Sequence, residues 1–170
     1  TITVNGVSKG FAMTGWRVGF IGAPLWIAKA CNKIQGQVTS ATCAIAQKAA
    51  ERAMLADPRS TTQQMKDTFL KRRDMILAEL NNIEGIKCNV PQGAFYVFPD
   101  VSYYFGKSDG TTTINNADDF CMYLLNSAHV ALVAGDSFGN PECVRISYAA
   151  ADEKLIEAMD RIKKQLAKLS

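Results

Sequence analysis

The chain has 170 residues, 48% of them apolar and 21% charged, proportions of a globular protein able to bury the core of one or two small domains. A net charge of +3 and a pI near 8.6 are too mild for a nucleic-acid partner, and the one basic run, Lys71-Arg72-Arg73, is read as a solvated helix face. No stretch is apolar over the ~20 residues a spanning helix requires, so no membrane partner is expected and the chain is read as soluble and cytoplasmic.

Thr1, Ile2, Thr3 and Val4 form a strand-like run that meets the turn signal Asn5-Gly6, which puts Lys9 just past a strand end. The chain opens on this run without a methionine and is expected to be a piece of something longer. Residues 18–21 supply a second short strand. Pro24 suits the first turn of a helix through Trp26, Ile27, Ala30 and Ile34, with a break over residues 36–42. An Ala-rich helix over residues 43–55 is expected to pack closely and to end at Asp57-Pro58, because proline disfavours helix in the residue before it. Ser60 with Gln63 resembles a capping box opening a long helix, on which Met65, Phe69, Ile76 and Leu80 share a face.

After Gly85 the pattern turns to strands at 86–90 and 94–98, joined by Pro91-Gln92-Gly93, and then to a Gly-, Ser-, Thr- and Asp-rich loop over 102–115 that is expected to be exposed. Asn116, with Asp118 and Asp119 in the first turn, opens a helix reaching His129, which reads as a helix-end residue. Strands are predicted at 130–133 and 143–148 around a turn-rich 134–141. The last helix starts at Asp152, with Leu155, Met159, Ile162, Leu166 and Leu169 in one apolar stripe. This order predicts an α/β piece at 1–59, a linking helix at 60–82 and a small α+β domain at 83–170.

Five cysteines, odd in number, scattered and without C-x-x-C, point to neither a disulfide framework nor a zinc site. They read as reduced, mostly buried thiols, and no metal is expected. Gly6 to Lys9 lacks the full phosphate-loop pattern, since Gly10 follows the lysine.

Lys9 and, eight positions later, Arg17 are the first residues that could carry chemistry. An unprotonated lysine amine condenses with an aldehyde, and a guanidinium forks two hydrogen bonds onto phosphate oxygens. On spacing alone an exposed loop lysine and a surface strand arginine are the stronger reading.

The segment Asn5-Gly6-x-Ser8-Lys9-x-Phe11-Ala12-Met13-Thr14-Gly15-Trp16-Arg17-x-Gly19 resembles the pyridoxal-phosphate lysine region of class I aminotransferases, most like the bacterial aspartate aminotransferase group. Gln92-Gly93-Ala94-Phe95-Tyr96 is similar to the family's P-x-G-A-F-Y strand, and Val144-Arg145-Ile146-Ser147-Tyr148-Ala149 to its substrate-arginine strand. The resemblance implies an α/β chain that is the C-terminal portion of a fold type I pyridoxal-phosphate transferase. It implies that Lys9 is catalytic and carries pyridoxal 5'-phosphate as an imine, that Arg17 binds the cofactor phosphate, and that Arg145 grips the substrate α-carboxylate. For Arg145 taken alone, a structural salt bridge is the other reading.

Two departures stand out. Many wider relatives have serine three positions before the lysine, where this chain has Gly6; Ser8, adjacent to Lys9, is not assigned to the site. Relatives often read Pro-Gly where this chain reads Ala134-Gly135, so the loop before Arg145 is expected to differ.

The resemblance covers essentially the whole chain but only the later part of the family's length. The earlier part holds other phosphate ligands, the ring stacked on the pyridine and the acid paired with its nitrogen. The parent protein is therefore expected to transfer an amino group between an amino acid, aspartate or a similar one, and a 2-oxo acid, as a homodimer. The isolated piece is expected to be inactive. A related pyridoxal-phosphate lyase or synthase is one alternative; a non-catalytic folding or dimerisation module is another.

Overall fold

Thr3–Gly6 (β1) and Gly19–Gly22 (β2) pair antiparallel, Thr3 opposite Gly22 and Gly6 opposite Gly19, in the computed structural model, which describes residues 1–170. Their connection holds a one-turn helix, Val7–Gly10 (α1), and a 3-10 turn, Thr14–Trp16. Val7 fixes that connection: its side chain is buried, its N–H donates to the Val18 carbonyl (3.2 Å), and its own carbonyl accepts from Phe11 and Met13. The strand-then-lysine reading is met, one or two residues later than predicted.

Three helices follow: Leu25–Val38 (α2), Ala44–Leu55 (α3) and Pro58–Thr61 (α4). Helix α2 runs through Gly36, inside the predicted break, because an interior glycine weakens a helix without ending it. The stop comes at Thr39, with Ser40 left-handed at φ 64°. The cap before α4 is Asp57, whose carboxylate accepts from the Arg59 N–H (2.9 Å), and not Ser60, whose hydroxyl donates to the Asp57 carbonyl. The long helix, Gln63–Asn81 (α5), starts later than the capping-box reading placed it.

The chain divides into two compact units, Thr1–Lys66 and Asp67–Ser170. In the first, Val7, Ala46 and Ala50 are the buried apolar side chains, while Leu25, Trp26, Ile34 and Val38 of α2 stay exposed. Close packing of the Ala-rich helix holds at Ala46 and Ala50 and fails at Ile45 and Leu55, which are also exposed.

The second unit carries the main core. Strands Tyr96–Val97 (β3), Val133–Ala134 (β4) and Val144–Ser147 (β5) form an antiparallel sheet in the order β3-β5-β4. Ile76, Leu77 and Leu80 of α5 join Ala117–Ala128 (α6) and Asp152–Leu166 (α7) around it. The whole predicted stripe from Leu155 to Leu169 is buried, each such side chain being worth about 1.5–3 kcal/mol of removal from water. Asn116 caps α6 by accepting from the Asp119 N–H (2.8 Å), and His129 ends it in the left-handed region.

Four expectations are corrected here. The strand at 86–90 shrinks to a single bridge between Lys87 and Asp100, since Pro91 has no N–H to extend a ladder and the chain bends just after it. The loop at 102–115 is anchored: Tyr104 and Ile114 are buried, and Ser108 exchanges both backbone hydrogen bonds with Ser170 (3.1 Å each). The basic run is not merely solvated, because Lys71 and Arg72 both bind Asp152 (3.1 and 2.7 Å) and Arg73 donates to Asp74 and to the Pro91 carbonyl. Of the five free thiols only Cys121 and Cys143 are buried; Cys88 is half-buried and Cys31 and Cys43 are exposed.

The turn before β5 is closely tied. Gly135–Phe138 forms a 3-10 turn ended by Gly139 at φ 84°. The Gly135 N–H donates to the Cys143 carbonyl (2.8 Å) and its carbonyl accepts from Asn140 (3.2 Å). A Cβ on Gly135 would lie 2.3 Å from the Asn140 oxygen and 2.4 Å from the Cys143 oxygen. Gly135→Ala is therefore expected to destabilise the protein by about 2 kcal/mol, read as a lower urea midpoint; an unchanged midpoint would mean that the turn is loose.

Lys71 and Arg72 hold the Asp152 carboxyl below its ordinary range, with the hydrogen bond from Arg72 as the main cause. The folded-state pKa is depressed, so the stability this provides is present above the unfolded-state value of about 3.9 and is lost as pH falls through the folded value. Asp152→Asn is expected to lower the unfolding free energy at neutral pH and to match wild type in strong acid. A pH-independent difference would contradict this account of the pairing.

Candidate active site

Lys9 stands on α1, exposed, on the connection that Val7 pins to Val18. Arg17 follows the 3-10 turn in the left-handed region, at φ 55° and ψ 48°. A bulky residue there is a local cost that surrounding structure must offset. Its Nη1 donates to the Thr14 carbonyl (2.9 Å), which fixes the guanidinium while leaving further N–H groups for a ligand.

Arg17 lines an open groove of about 650 Å³ together with Gly15, Trp16, Gln35, Thr39 and Thr42. The Arg17 guanidinium in this groove suits a phosphate, and an exposed lysine amine in the same unit suits an aldehyde. These residues therefore fit pyridoxal phosphate. Lys9 is not among the lining residues of that groove. Cys43, which sequence reasoning left aside, does line it, and the Ala46 and Ile45 N–H groups hold its thiol below the usual range.

Arg145 belongs to the second unit, on the central strand β5. Val144 and Ile146 point into the core and are buried, so the alternation of the strand sends Arg145 to the other face, half-buried. On that face Tyr96, opposite Ser147, is its diagonal neighbour. The Arg145 guanidinium carbon lies 4.6 Å from the centre of the Tyr96 ring and 4.4 Å from that of Phe138. Phe138 in turn meets Phe98 edge-on, with ring centres 6.2 Å apart. None of the ion pairs of the chain uses Arg145.

The motif around Tyr96 is set by Tyr148, just after β5. Its N–H donates to the Phe95 carbonyl (3.0 Å), and its hydroxyl to the carbonyl of Ala94, which is left-handed at φ 61°. Burial pushes the Tyr148 phenol up, keeping it a donor. Two stretches far apart in sequence are thus locked together, one carrying Arg145 and the other Tyr96. Phe138 was invisible as a partner in the sequence because its turn, not its spacing, aims it.

No helix of the structure is long and apolar enough to cross a membrane. The family model for aminotransferase class I and II matches residues 1–162. A bifunctional aspartate aminotransferase and glutamate/aspartate-prephenate aminotransferase of Petunia hybrida is 49% identical over 170 residues, spanning 98% of this chain and 35% of its own length. An aspartate aminotransferase of Rhizobium meliloti (strain 1021) is 44% identical, across 100% of this chain and 42% of its own. The crystal structure of the aspartate aminotransferase from Rhizobium meliloti superposes with a TM-score of 0.92 at 42% identity, covering 100% of this chain and 42% of that one. That of an aromatic aminotransferase from Pyrococcus horikoshii gives 0.87 at 38% identity, covering 99% and 43%. The chain thus spans 35% to 42% of the length of these curated relatives. With its three motifs in order and the same fold throughout, the chain belongs to the aminotransferase class I and II family.

Proposed function

We propose that the full-length protein carrying this chain transfers an amino group between an amino acid, aspartate or a similar one, and a 2-oxo acid, with pyridoxal 5'-phosphate as cofactor. The reading extends to a homodimer, and to a reducing compartment such as the cytosol, in keeping with five unbridged thiols. The observation that carries it is Arg145, a half-buried guanidinium held by aromatic faces and engaged in no ion pair, within a chain whose relatives are named aspartate aminotransferases.

Each residue then has a task. Arg17 forks onto the cofactor phosphate, the Thr14 carbonyl keeping its guanidinium in place. Lys9 would hold the cofactor through Nζ, and the same nitrogen, once free, would take the proton from the substrate α-carbon. Arg145 binds the α-carboxylate through two parallel N–H bonds and so fixes the substrate's orientation. Pyridoxal phosphate, when bound, supplies the conjugated ring that accepts the electron pair left by that proton.

Borohydride reduction of the full-length protein is expected to abolish its visible absorbance and leave the cofactor attached at Lys9, read by peptide mapping. An adduct on any other lysine contradicts the assignment. Arg145→Lys should raise KM for both substrates by roughly tenfold or more while cofactor content is kept, because an ammonium cannot reproduce the planar fork. Equal loss of cofactor and substrate binding would make Arg145 structural. Amino transfer to 2-oxoglutarate without release of ammonia or pyruvate separates this function from a related lyase.

A further inference from the structure

The arginines of the second unit differ in how they are held. Arg72 and Arg73 use their N–H groups on Asp152, on Asp74 and on the Pro91 carbonyl. Arg145 instead lies over two aromatic rings, its guanidinium carbon 4.6 Å from the centre of one and 4.4 Å from that of the other. Both lie inside the roughly 6 Å range of a cation–ring contact. A carboxylate partner would neutralise the charge and occupy the fork. A neutral ring does neither: guanidinium faces are weakly hydrated and stack on aromatic surfaces, while the hydrogen bonds to a carboxylate lie in the plane, at the edge.

The two rings are not supplied in the same way. Tyr96 comes from the neighbouring strand as the diagonal partner that the β3–β5 register dictates. Phe138 comes from the turn before β5 and is 47% exposed, an apolar side chain left half in water at the end of a tightly bonded 3-10 turn. The close approach at Gly135, the left-handed Gly139 and the edge contact from Phe98 together determine where that ring sits.

We propose that Phe138 is a positioning residue: with Tyr96 it sandwiches the Arg145 guanidinium, covering its faces and leaving its nitrogen fork to a ligand carboxylate in one plane. This rests on the reading of Arg145 as the substrate-carboxylate site. The ring touches neither the carboxylate nor the cofactor and acts through the arginine alone. Its loss frees the guanidinium to tilt and lets water onto one face, which weakens carboxylate binding without removing the charge.

The test uses the full-length, cofactor-loaded protein with Phe138→Leu, which keeps apolar bulk and removes the ring face, and with Phe138→Tyr and Phe138→Trp, which keep a face. The readouts are KM for the amino acid and the 2-oxo acid, kcat, the visible cofactor band, and Kd for an unreactive carboxylic acid compared with its amide. Phe138→Leu is expected to raise both KM values and the acid's Kd by roughly three- to thirtyfold, with the amide's Kd and the cofactor band unchanged. Tyr and Trp should bring KM back to within about twofold of wild type.

The inference is overturned if Phe138→Leu, folded and loaded, leaves KM within about twofold of wild type, or if Tyr and Trp are as impaired as Leu. A parallel rise in the Kd of acid and amide also overturns it, since that marks a general packing role. Should the Leu variant fail to fold, the Tyr and Trp variants still decide, because a substituted ring that keeps the stack must keep the acid-over-amide preference. Arg145→Lys in the same assays separates the two levels. If it leaves KM unchanged, the reading of Arg145 fails; if it raises KM and Phe138→Leu does not, only the role of Phe138 fails.

Discussion

The pairing of β5 with a strand on either side is the constraint on which the candidate carboxylate site depends. Tyr96 stands opposite Ser147 and Val133 opposite Arg145, so β5 is central and cannot slip. A shift of one residue would turn Val144 and Ile146 out of the core and bury Arg145 in their place. With Val144 fully buried and Ile146 nearly so, that exchange would leave a charge among apolar side chains, a cost far above that of an ordinary substitution. Hydrophobic burial on one face of the strand thus decides where the charge goes on the other.

The first unit is organised differently. A two-stranded hairpin with a one-turn helix in its connection has little core of its own, and Val7 is its one fully buried large apolar side chain. The backbone carries most of the positioning: hydrogen bonds to the Val7 carbonyl and a left-handed Arg17 braced on Thr14. The exposed, groove-lining guanidinium of Arg17 is thereby held out where an anionic ligand can reach it.

Much of this was legible in the sequence because it follows from local rules. The Asn116 cap, the buried stripe from Leu155 to Leu169 and the short strand leading to Lys9 come from side-chain chemistry and periodicity alone. The strand at 86–90 was misread because alternating residue types cannot tell a ladder from a single bridge when proline follows. The loop at 102–115 was misread because composition does not show that Ile114 turns inward or that Ser108 meets Ser170. Lys71 and Arg72 looked solvated because Asp152 lies about eighty positions away. Motif order singled out Lys9 and Arg17 in the first unit and Arg145 in the second as candidates, whereas the ring of Phe138 depends on backbone contacts at Gly135 that no spacing rule encodes.

The central claim is that Arg145 is a carboxylate receptor held by its faces. It is tested most directly by a crystal structure of the full-length protein with pyridoxal phosphate and an unreactive dicarboxylic acid. The account predicts one carboxylate forked in the plane of the Arg145 guanidinium, with both rings still stacked on its faces. A carboxylate bound elsewhere, or an Arg145 paired with an acidic side chain of the protein itself, would contradict it.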